Sequence, residues 1–89
     1  MISPTIHGNG TSGEALLTQQ TDAVSALYDA LEAMTAAAPN GRDYYPQGPE
    51  AFRLAAAEHA ARIAKVRAVL AEYEAAAEVI ADLIDGAER

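Results

Sequence analysis

The sequence predicts an all-α protein: an antiparallel two-helix hairpin that assembles as a helical homo-oligomer. Three observations point there. Two long stretches carry apolar residues at alternating spacings of three and four, the period of one helix face. A ten-residue segment, PNGRDYYPQG at 39–48, separates them, and so short a link returns the second helix antiparallel beside the first. Two helices enclose no core of their own, so apolar positions left over on the second one call for another copy of the chain.

Eighty-nine residues make a single domain, divided into an arm (1–11), a first helix (12–38), a bend (39–48) and a second helix (49–85). The arm, MISPTIHGNGT, lacks the basic start and apolar stretch of a signal peptide. The Asn9-Gly10-Thr11 triplet fits a glycosylation acceptor, which carries no weight without a secretory signal. There is no cysteine, hence no disulfide framework and no thiolate zinc site. His7 and His59 are too few to argue for a metal. No apolar run nears the roughly 20 residues of a membrane span. A cytoplasmic protein without cofactor or metal is expected.

The first helix opens at Thr11-Ser12-Gly13-Glu14, a hydroxyl residue followed three positions later by Glu, the form of a capping box with Thr11 as cap. Its stripe is Leu17, Gln20, Val24, Leu27, Leu31, Met34 and Ala38. Pro39 ends it, because the proline ring disfavours helical geometry at the preceding residue. The second helix opens at Gly48-Pro49-Glu50, with Pro where its missing N–H costs nothing and Glu at the positive end of the dipole. Its stripe runs Phe52, Ala56, His59, Ile63, Val66, Leu70, Tyr73, Ala77, Ile80, Ile84, and Gly86 is the expected stop. At about 1.5 Å per residue the second helix is longer than the first. It is expected to outrun its partner beyond about Tyr73, there to be covered by the arm through Ile2 and Ile6 or by another subunit. A second apolar set, Val69, Ala76, Val79 and Leu83, lies off the main stripe.

The net charge of −7 argues against wrapping a nucleic-acid polymer. Five of the six basic residues, Arg42, Arg53, Arg62, Lys65 and Arg67, fall within 42–67, and the chain beyond turns acidic. A basic half of the second helix facing the acidic half of another copy gives an antiparallel two-fold dimer. The competing arrangement pairs Asp29 and Glu32 with Arg53 or Arg62 inside one chain. Glu50–Arg53 and Glu58–Arg62 are also spaced to pair within the second helix.

Two stretches carry chemistry. In the bend, Asn40, Arg42, Tyr44 and Tyr45, with Arg53 just beyond, combine a guanidinium fork suited to phosphate with rings that stack on bases. The alternative is a plug: Tyr44 and Tyr45 closing the open end, with Arg42 paired to Asp43 or Glu50. In HGNGTSG at 7–13, His7, Asn9 and Thr11 sit just before a helix, where free N–H groups can meet an anion. No lysine follows as a P-loop requires, and the alternative is a flexible arm ending in a cap. The two stretches lie at opposite ends of a hairpin, so only an oligomer interface can join them. His59, within the apolar stripe, reads as a neutral core residue bonded to a neighbour, or as a polar contact or register-fixing residue. No nucleophile, base and acid stand at interpretable spacing, and no enzyme is expected.

The residues His7, Asn9–Ser12 and Ala38–Gly48, written H-x-N-G-T-S and A-P-N-x-R-D-Y-Y-P-Q-G, resemble a pattern in small all-helical proteins of phages and prophages. That resemblance implies a viral protein of the host-cell cytoplasm working stoichiometrically, some such proteins being anti-defence oligomers that sequester nucleotide messengers. The function expected on all these grounds is non-catalytic sequestration of a small anionic nucleotide in pockets at subunit interfaces. The alternative is a hairpin that docks a host or phage protein through the exposed apolar stripe of the second helix.

Overall fold

Helix starts and stops follow local chemistry. The computed structural model describes residues 2–87, and among them finds helix α1 (Gly13–Ala36), a one-turn α2 (Gly41–Tyr44), a 3-10 turn (Tyr45–Gln47), helix α3 (Pro49–Ala87) and no strand. The all-helical class is as expected, but there are three helices, because the bend holds a turn of its own.

The cap of α1 is Ser12, not Thr11. Ser12 is extended, and its Oγ accepts from the Ala15 backbone N–H at 3.1 Å, satisfying one of the donors that the first turn leaves open. The arm reaches this cap through a turn in which the Gly10 N–H donates to the His7 carbonyl at 3.1 Å. At its other end α1 closes at Ala36, two residues before the expected Ala38. The Ala37 N–H is shared between the Ala33 and Met34 carbonyls, and Ala38 bonds back to Thr35 at 3.2 Å. The last turn thus tightens ahead of Pro39, which holds its predecessor out of the helix.

The bend is ordered by Asn40. Its backbone is extended and its Oδ1 accepts from the Arg42 N–H at 3.0 Å, starting α2. The segment ends at Gly48, whose φ of 99° lies in the left-handed region that a side chain disfavours. From Pro49, α3 continues through Gly86 to Ala87; the expected stop at Gly86 does not occur, since one helical glycine costs only about 1 kcal/mol.

α1 packs along α3. The start of α1 lies beside the end of α3, where a Cβ built on Gly13 would sit 2.8 Å from Ile84 Cγ1 and 2.9 Å from Ile6 Cδ1. In mid-helix, Tyr28 Oη donates to Glu74 Oε2 at 3.2 Å. The two helices therefore run in opposite directions, in a body of 63 × 20 × 19 Å. This register corrects the expected overhang. The 24 residues of α1, laid back from Ile84 at about 1.5 Å each, reach only to about residue 61 of α3. It is the first dozen residues of α3, not the last, that outrun α1, and there only the bend accompanies them.

Among the described residues, those buried are Leu31 of α1 with Leu70, Ala76 and Ile80 of α3. The arm folds back over this end: Ile2, Ser3 and Pro4 line a shallow cleft of about 90 Å³ with Leu16, Gln20, Ala76 and Ile80. Ile6 is half-buried there. Ile2 is not the expected anchor, since it stays 97 % exposed. Of the rest of the stripe, Ala56, His59, Ile63, Val66, Ala77 and Ile84 are half-buried, as one partner helix permits, whereas Phe52 and Tyr73 are exposed, contrary to their expected inward place.

Candidate functional site

The nominated residues separate into two groups. His7, Asn9 and Thr11 belong to the arm beside the C-terminal end of α3, while Asn40, Arg42, Tyr44, Tyr45 and Arg53 belong to its start. Gly13 meets Ile84 and Tyr44 meets Phe52, so about 32 residues of α3, roughly 48 Å of helix, lie between the groups. The chain does not bring them into one site.

At the arm, the residues are committed to local structure. His7 closes the turn to Gly10, and its ring lies so near that a Cβ on Gly10 would fall 2.7 Å from Nε2. The capping oxygen is that of Ser12, while Asn9 and Thr11 are exposed.

At the bend, Asn40 spends its side-chain oxygen on α2. Tyr44 is half-buried and packs its ring on Phe52, with centroids 6.4 Å apart and planes tilted by 47°. That contact is one half of the plug arrangement. Tyr45 is the other kind of residue: 78 % exposed, it plugs nothing. Arg42 is exposed and forms no ion pair among the described residues. Arg53 hydrogen-bonds through Nε to Glu50 Oε1, and Arg62 pairs with Glu58 at 3.5 Å. Both pairs are solvated and lie within α3, so Asp29 and Glu32 do not take these arginines. Pairs of this kind contribute a few tenths of a kcal/mol.

His59 departs from its expected role. Its Nε2 is buried and has no hydrogen-bond partner, in the stretch of α3 that α1 does not reach. Among the described residues no group of His, Asp and Glu is placed to hold a metal, and no helix is long and apolar enough to cross a membrane.

Two features lay beyond sequence reasoning. The bond from Tyr28 to Glu74 joins residues 46 apart, and no local spacing announces such a pair. The hydrogen bond to Glu74 and the carboxylate's charge hold the Tyr28 hydroxyl above its ordinary pKa. The second is the extent of the outer face of α3. Counting 100° per residue, Leu54, Ala61, Lys65, Glu72, Val79 and Leu83 fall within an arc of about 40°, roughly opposite Leu70 and Ile63, which face α1. All six are exposed, as is neighbouring Val69. Val69, Val79 and Leu83 stand in the sequence with Ala76 as a set off the main stripe, but Ala76 is buried beside the arm and does not belong to the exposed face. Leu54 is not in that set, because the polar Glu58 and Lys65 interrupt the apolar spacing between it and the others. No protein-family model, no curated protein and no solved structure matches this chain.

Proposed function

We propose that the chain is a non-catalytic helical-hairpin interaction module that docks a protein partner on the outer face of α3. One observation carries this reading: α1 covers one side of α3 and the arm its flank at Ala76 and Ile80, while Leu54, Val79 and Leu83 remain exposed on the side away from α1, with Val69 exposed at its edge. Aliphatic side chains aligned on one helix face are the anchors by which helices are recognised. Their burial stabilises a complex by about 1.5–3 kcal/mol per fully covered residue. By the resemblance to phage proteins, the module works in the host-cell cytoplasm, as an oligomer or as a complex with another protein. A photo-crosslinking amino acid at position 79, introduced in the producing cell, is expected to give a covalent protein adduct, whereas the same group at position 43 gives none. Absence of any adduct from position 79 overturns the reading.

A second reading is favoured by the exposed Arg42 and Tyr45, a guanidinium and a ring three positions apart in the bend, with neither engaged in an ion pair or ring stack among the described residues. On it the oligomer sequesters a small anionic nucleotide at subunit interfaces, where His7, Asn9 and Thr11 of one copy meet the bend of another. Cyclic and ADP-ribose-type nucleotides then raise the melting temperature of wild type but not of Arg42→Ala. No rise with any of them discards this reading and leaves the first untouched.

A further inference from the structure

We infer that the occupant of the outer face of α3 is a second copy of this chain, lying antiparallel about a two-fold axis that passes between Ala68 and Val69. This rests on the docking reading above and names its partner. The inference comes from the order of residues along the face. Leu54 and Leu83 are 29 residues apart, close to eight full helical turns, and so share one azimuth. Reversing the helix about its point between Ala68 and Val69 places Leu54 opposite Leu83 of the partner subunit, and Lys65 opposite Glu72 of the partner subunit. Each contact occurs twice by symmetry. Both charges are exposed and without an ion pair among the described residues. At the axis itself Ala68 and Val69 are small, which lets the two helices approach closely. Glu58 falls opposite an aliphatic residue, Val79, and its carboxylate already has a counter-ion in Arg62 at 3.5 Å.

The charge of the whole helix selects the direction. Residues 49–68 carry four basic and two acidic side chains, whereas residues 69–86 carry five acidic and no basic ones. Antiparallel pairing sets the net-basic half of each helix beside the acidic half of the other. Parallel pairing would place acidic half on acidic half, at a cost in repulsion. The stripe from Leu54 to Leu83 is about 44 Å long and one helix wide. It lies at the small end of specific interfaces, so the dimer exchanges with free chains at micromolar concentration.

Sedimentation equilibrium of the full chain at low ionic strength, over roughly 5–500 µM, tests this. Wild type is expected to pass from the mass of one chain to that of two. Lys65→Glu and Glu72→Lys, each with unchanged circular dichroism, should each weaken the dimer at least about tenfold, and the combined exchange should restore it to within about threefold. A wild type that keeps one-chain mass at the highest concentration overturns the inference, as does a combined exchange that fails to recover. If one-chain mass accompanies an adduct from position 79 to a different protein, the second copy is refuted while the docking reading stands. If that adduct is also missing, both fall.

Discussion

The two ends of α3 are built differently. From Val69 to Gly86 the helix is flanked by α1 on one side and by the arm around Ala76 and Ile80, and every residue of α3 that is buried among those described lies there. From Pro49 to about residue 61 it extends past α1 with only the bend beside it. Its closest described aromatic contact there is Tyr44 on Phe52, and its buried polar atom, His59 Nε2, lacks a partner. One end is made for stability. The other is thinly covered, more basic and tipped by the exposed Arg42 and Tyr45. A helix whose two halves differ in cover and in charge sign can hold its own fold at one end and still offer a graded surface along its outer side.

Large-to-small substitutions should separate the halves most strongly. Ile80 is 2 % exposed, and Ile80→Ala should cost about 2–4 kcal/mol in urea unfolding, whereas Ile63→Ala, half-buried near the end of α1, should cost about 1 kcal/mol. Equal losses would erase the distinction. Next comes the close approach that sets the register. Gly13→Ala gains less than about 1 kcal/mol in helix propensity but pushes a methyl into Ile84 and Ile6, for a net loss of about 1 kcal/mol. A gain in stability would show that the arm yields freely.

The bend half should respond with the opposite sign. His59→Leu removes a buried nitrogen without a partner, and is expected to raise stability by up to about 1 kcal/mol. A loss would mean that the ring has a bond partner after all. Caps give a sharper but local contrast: Ser12→Ala should cost about 1 kcal/mol and Thr11→Ala close to nothing, both read by thermal melting. The smallest effect is expected at Tyr28. The folded state holds its hydroxyl proton more tightly than the unfolded chain does. Its contribution is therefore complete below the ordinary tyrosine pKa of about 10 and is lost as pH rises through the higher folded value. Tyr28→Phe should melt slightly earlier than wild type at pH 7, with the gap closing in strong base. A gap that persists there would trace to packing and not to the hydroxyl.

Much of this could be read from the chain, and the misses have physical causes. The stripe Ile63–Val66–Leu70–Ala77–Ile80–Ile84 is set by helical period alone, and it faces inward as spaced. The start of α1 differs because two hydroxyls compete for one cap: Thr11 has Glu14 three residues on, but Ser12 has the geometry to reach Ala15. Pro39 acts further upstream than its immediate neighbour, since the last turn must tighten before the chain can leave. Periodicity fixes faces and says nothing of register, so the overhang was assigned to the wrong end of α3. What decides it is the close approach of Gly13 to Ile84, a contact between residues 71 apart in sequence. Among the candidate site residues, Asn40 and Arg53 have ordinary local roles. Arg42 and Tyr45 keep the exposure that a ligand would need.

The central claim, a self-complementary outer face on α3, is met most directly at its axis. The chain has no cysteine, so one introduced thiol reports on itself alone. Oxidation of Ala68→Cys at dimer-forming concentration should give disulfide-linked pairs rapidly. Ala57→Cys, also at an exposed position but about 17 Å along α3 from the axis and thus about 34 Å from its own copy, should give them slowly. Similar rates for the two variants would contradict the account.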